Sequence, residues 1–96
     1  MHARLTVVTG PVERAKEARQ AIAEQVVPRA RDIPGLRNAY WMADEAAGKV
    51  VALTLFETEA DLVASRDAVT KIREESVKSM GGTVQSVEEF EVIAQV

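Results

Sequence analysis

Residues 49–57 read Lys-Val-Val-Ala-Leu-Thr-Leu-Phe-Glu, and this segment constrains the fold more than any other. It has strand composition and is apolar on both parities: Val51, Leu53 and Leu55 against Val50, Ala52 and Phe56. Alternate side chains of a strand point to opposite faces, so this one needs cover on both sides. A chain of 96 residues argues for one domain, spanning 1–96, with one modest core. One layer of helices can cover one face of its sheet. The other face needs something else.

The remaining elements follow from periodicity. Residues 3–9 are rich in β-branched types and predict a first strand, stopped by Gly10-Pro11. Ala15, Ala18, Ile22 and Val26 recur at steps of three and four, so 11–31 predicts a helix. Pro28 is expected to end or kink it near Val27. Pro34-Gly35 fits a type II turn before a strand over 36–43. Asp44 to Gly48 forms a loop into the 49–57 strand. Thr58 caps a second helix with an apolar stripe of Leu62, Val69, Ile72 and Val77, ended by Gly81-Gly82. Residues 83–94 predict a last strand. In the first strand the apolar parity Ala3, Leu5 and Val7 is expected to face the helices, which turns Arg4 away from them.

This order predicts an α+β ferredoxin-like βαββαβ domain: a four-stranded antiparallel sheet with two helices on one face. The economical cover for the second face is another copy of the chain, giving a homodimer.

Composition excludes several functions. Without cysteine there is no disulfide or thiolate metal site. Glu88, Glu89 and Glu91 splay to both faces of a strand with no paired His, so no metal site is expected. Twelve Lys and Arg against fifteen Asp and Glu, with no basic stripe, argue against nucleic acid. No run approaches the ~20 apolar residues that cross a bilayer. No signal peptide is read at the start, and a cytoplasmic location is expected.

The order of elements, with Pro34-Gly35, Tyr40-Trp41, Asp44, Gly48-Lys49 and the run Leu53-Thr54-Leu55-Phe56-Glu57-Thr58-Glu59-Ala60-Asp61-Leu62, resembles the dimeric α+β barrels of the antibiotic biosynthesis monooxygenase type. The resemblance implies a barrel formed by two face-to-face sheets across a dimer axis, with a pocket between sheet and helices in each subunit. Some members of that family oxidise aromatic polyketides with O₂ and no metal or flavin. Others degrade haem, using a His on the second helix, an Asn on the first strand and a Trp at the end of the third. The corresponding positions here are Ala64-Ser65-Arg66-Asp67, Ala3 and Phe56, so haem degradation is not expected.

The resemblance therefore implies a cofactor-independent monooxygenase acting on a small aromatic or polyketide-like molecule. The alternative is a non-catalytic homodimeric ligand-binding module. Candidate pocket residues are Thr54 and Phe56, one of the adjacent pair Tyr40 and Trp41, Asn38 as a partner for a substrate oxygen, and Arg66 as a cation for an anionic substrate. Each also has a plain structural explanation: core aromatics, a strand Asn or a solvated helix Arg. No residue stands out as the catalytic base. His2, the lone imidazole, lies next to the terminus.

Overall fold

The computed structural model describes residues 1–96. Strand β1 spans His2–Thr9. A 3₁₀ turn at Val12–Arg14 leads into α1, Ala15–Ala21, which continues through a π-helical turn, Ile22–Val26, into α2, Val27–Ala30. Strands β2, Leu36–Asp44, and β3, Lys49–Phe56, form a hairpin. Helices α3, Glu59–Ala64, and α4, Arg66–Met80, precede β4, Thr83–Glu91. The sheet order is β2-β3-β1-β4, with every neighbouring pair antiparallel. This is the ferredoxin-like α+β arrangement. No helix is long and apolar enough to cross a membrane.

Two details of the helices differ from the sequence reading. Pro28 does not end the first helix. The Val27 N–H reaches back five residues to the Ile22 carbonyl, and this wider turn lets the chain enter Pro28 without breaking the helical path. The second helix is in turn divided at Ser65 into α3 and α4. Thr58 Oγ1 does cap α3, accepting the Asp61 N–H at 3.1 Å. The last strand stops at Glu91, and Ile93 is exposed.

The register fixes which side chains share a face. Arg4 stands opposite Thr54, Thr6 opposite Ala52, and Ala52 opposite Trp41. This set, with Val8, Val50 and Phe56, faces the helices. The assignment of Ala3, Leu5 and Val7 to the helix side was therefore inverted. They face the open side with Leu53, Leu55 and Tyr40, because in β1 the more polar parity, Arg4 and Thr6, is the one the helices cover.

Only nine of 96 residues are buried, and the shortfall lies on the two faces of the sheet. On the helix side the layers enclose a cavity. On the open side Tyr40 and Phe90 remain 49% and 48% exposed.

The β2–β3 hairpin is held against the end of β1 by Gly48. Its φ is +63°, and an added Cβ would lie 2.3 Å from the Gly10 carbonyl oxygen. The Gly10 N–H donates to the Gly48 carbonyl at 2.8 Å. Gly48→Ala should therefore cost more than about 1 kcal/mol of unfolding free energy. Gly10→Ala, whose Cβ would meet nothing nearer than 3.6 Å, is the control in urea titrations and should change little.

Candidate functional site

The cavity between sheet and helices has a volume of about 320 Å³. Thr6, Ala52, Thr54 and Trp41 form its floor. Ala18, Ile22 and Val26 wall one side, and Val69, Ile72 and Arg73 the other. The π turn contributes both of its ends, Ile22 and Val26, to the wall.

The floor carries a buried cation. Arg4 is 2% exposed. Its Nε and Nη2 donate to Glu89 Oε2 at 3.3 and 2.9 Å. Nη1 donates to Ser65 Oγ at 3.1 Å, and Nη2 also donates to the Leu62 carbonyl at 3.1 Å. The guanidinium lies 5.5 Å from the centre of the fully buried Phe56 ring. These contacts explain the break at Ser65. The Leu62 carbonyl is taken up by Arg4 and by the Ser65 hydroxyl, which donates to it at 2.7 Å. The helix is interrupted where the guanidinium enters.

Glu89 serves two cations. Its Oε1 accepts from Arg66 Nη2 at 2.6 Å, while its Oε2 holds Arg4. Hydrogen bonding from Arg66, opposed by partial burial and assisted by Arg4, holds its carboxyl below the ordinary carboxylate range. Arg73 is half-buried on the cavity wall. The six ion pairs of the structure use Arg4, Arg14, Arg19, Arg29, Arg37 and Arg66, leaving Arg73 and the exposed Arg31 without a partner. Burial, with the charge of Arg4, lowers its pKa. The Thr54 hydroxyl is buried with no hydrogen-bond partner.

The candidates from sequence separate into three groups. Trp41, Thr54 and Phe56 come together on the cavity side, and of the aromatic pair it is Trp41 that enters. Tyr40 and Asn38 share the opposite face, where the Asn38 amide lies 3.4 Å from the Tyr40 hydroxyl. Arg66 lies outside the cavity: its side chain is 54% exposed and is drawn to Glu89 at the sheet edge. Sequence reasoning missed Arg4, Arg73 and Glu89. The available signal was the β1–β3 register, which sets Arg4 against Thr54, a residue already assigned to the pocket.

No family profile matches the chain. Two uncharacterised proteins of Mycobacterium tuberculosis, MT2634 and Rv2557, are each 29% identical over 94 residues, which is 98% of this chain. The chain spans only 42% of the length of each. Among solved structures, a Deinococcus radiodurans protein provisionally assigned as an antibiotic biosynthesis monooxygenase superimposes with a TM-score of 0.77 at 14% identity, covering 100% of this chain and 96% of that one. The ActVA-Orf6 monooxygenase of Streptomyces coelicolor, in complex with nanaomycin D, gives 0.73 at 14% identity over 99% and 89%. A variant of MhuD carrying two manganese protoporphyrin IX per active site gives 0.74 at 15% over 100% and 98%. A dimeric ferredoxin-like protein from an uncultured marine organism gives 0.68 at 10% over 99% and 96%. The chain thus has a ferredoxin-like α+β fold. Within that class, its fold is the one shared by antibiotic biosynthesis monooxygenase-like proteins.

The Arg4–Glu89 pair makes stability depend on acid. A carboxyl with a depressed folded-state pKa stabilises fully above its unfolded pKa, and the contribution is lost as pH falls through the folded value. Unfolding free energy should fall as pH drops below the ordinary carboxylate range, and Glu89→Gln should flatten that dependence. At neutral pH Glu89→Gln should cost about 3 kcal/mol, the low end for breaking a buried pair, because one side of this pair reaches solvent. Chemical denaturation across pH checks both.

Proposed function

We propose that the chain is a small-molecule pocket protein that holds an aromatic or polyketide-like ligand between sheet and helices, in each subunit of a homodimer. The supporting observation is the cavity of about 320 Å³, largely apolar, with polar groups on its floor, on the α4 wall and beside the β2–β3 hairpin. That is the composition and the lower size range of small-molecule sites. Trp41 offers a flat face for an aromatic ring, and Ala52 beside it leaves the room.

The catalytic version of this reading is a cofactor-independent monooxygenase, favoured by the fold shared with the Streptomyces monooxygenase. In the simplest balanced form a phenol gives two hydrogens and O₂ inserts one oxygen atom, leaving a quinone and water. Such a reaction needs an acceptor for the phenol proton. The carboxylate on the cavity lining, Glu45, is ion-paired to Arg19 at 2.6 Å, and His2 is not on the lining. This favours the non-catalytic version, a binding module, over the enzyme.

The homodimer rests on the open sheet face. Leu5, Val7, Val51, Leu53 and Leu55 form a continuous apolar strip with Tyr40, Met42 and Phe90 exposed around it. A two-fold axis through such a face makes it self-complementary. The mycobacterial relatives, of which this chain spans 42%, are long enough to carry two domains of this size in one polypeptide.

Light scattering should give about twice the 10.5 kDa chain mass, and Leu53→Glu at the centre of the strip should return the monomer. A stable wild-type monomer would remove the dimer from the proposal. Neutral naphthalene derivatives should change Trp41 fluorescence saturably, and Ala52→Phe should abolish the change by filling the floor. O₂ uptake with 1-naphthol separates the two versions: turnover above the protein-free rate supports the enzyme, and binding without turnover supports the module.

A further inference from the structure

The polar groups at the cavity are unbalanced in charge. The lining holds five cations, Arg4, Arg14, Arg19, Lys49 and Arg73, against one carboxylate, Glu45, in a chain whose formal net charge is −3; Glu89, outside the lining, pairs with Arg4 and Arg66. Arg66 donates to both oxygens of Glu89 and Arg4 to Oε2, so the carboxylate is fully engaged by these two. The exposed Glu74, next to Arg73 on α4, acts on it through space without a hydrogen bond or ion pair. A half-buried cation without a counter-charge is costly unless something supplies one.

Two unfilled hydrogen-bonding positions accompany it. A guanidinium has five N–H donors. The four bonds of Arg4 use Nε once, Nη2 twice and Nη1 once, which leaves one Nη1 donor. Thr54, directly across the strand pair from Arg4, holds the only buried side-chain polar atom in the structure without a partner. Unpaired buried hydroxyls are uncommon in folded proteins and call for an explanation. Arg4, Thr54 and Arg73 all lie on the lining of the same cavity.

Resting on the pocket reading above, we infer that the ligand of this cavity is an oxyanion, an aromatic carboxylate or phenolate, whose charge is received by Arg73 and whose oxygen takes hydrogen bonds from the Thr54 hydroxyl and the remaining Arg4 N–H. The apolar side chains Ile22, Val26, Val69 and Ile72 hold the ring, and Arg73 on the α4 wall, with Thr54 and Arg4 on the floor, holds the charge. Arg4 is locked by Glu89, Ser65 and the Leu62 carbonyl, so it is set in place before the ligand arrives. Arg73 is the uncommitted member and supplies selectivity for the anion.

Calorimetry with 2-naphthoate and its neutral analogue 2-naphthamide tests the assignment on the full chain. The wild type should bind naphthoate at least tenfold more tightly than naphthamide. Arg73→Gln should weaken naphthoate at least tenfold and leave naphthamide within twofold, while Arg73→Lys keeps most of the preference. Thr54→Val should weaken naphthoate severalfold. The Tm of Arg73→Gln should equal or exceed that of the wild type, since the unpartnered charge is removed; a purely structural arginine would lower it. Equal affinity for acid and amide in the wild type, or an intact preference in Arg73→Gln, overturns the oxyanion site and leaves the pocket reading standing. Failure of both probes to bind the wild type sinks the pocket reading and this inference with it.

Discussion

The guanidinium of Arg4 joins more of this fold than any other group. From the middle of the sheet it reaches Glu89 on β4, Ser65 at the junction of the two later helices and the carbonyl of Leu62, and it lies beside Phe56 at the end of β3. A charge buried to this extent would be prohibitive alone. Here it is hydrogen-bonded on three sides, and the helix gives up its continuity at Ser65 to complete the set. The chain position at which the first helix-side layer meets the sheet is therefore fixed by polar geometry, while the remainder of that interface is apolar and loosely filled.

That division sets apart the two faces of one small sheet. On the helix side, the short side chains Thr6, Ala52 and Thr54 cannot fill the space beneath the helices, and the enclosed volume results. On the open side, larger residues stand in register across three strands, with Leu5 opposite Leu53 and Leu53 opposite Tyr40. The small residues at the centre of the helix-side face leave space beneath the helices, while the open face presents a continuous apolar strip.

The architecture was legible because its signals are local. Thr58 at a cap, Gly35 and Gly48 at positive φ and the two-sided β3 each act over a few residues. The site was legible in part. Thr54 and Phe56 share one parity of β3, and the resemblance, not the two-sided pattern, turned that parity toward the pocket. Arg4 was misplaced for a physical reason: polarity marks the outer face of a strand only when that face meets water. In β1 the parity carrying Arg4 and Thr6 is the covered one, so the usual inference ran backwards. Arg66 and Arg73 differ by two helical turns along the same run of helix, and only the position of Glu89 on a distant strand decides which one is spoken for.

The π turn at Ile22–Val26 has a consequence for how such a cavity can change. A π turn holds one residue more than the α-helical path requires, and Pro28 directly after it withholds the N–H that a tighter winding would use. Each residue of an α-helix advances the side chains by about 100°. The π turn absorbs one such step, so loss of a single codon within it would return the helix to the α path, with the segments on either side facing as they do now and only the residues between Ile22 and Val26 redistributed on the wall. One stretch of the wall could thus be rewritten by one deletion while Ala15 and Ala18 keep their places over the sheet. This turn is therefore the place on the first helix where a change in chain length disturbs the surrounding frame least.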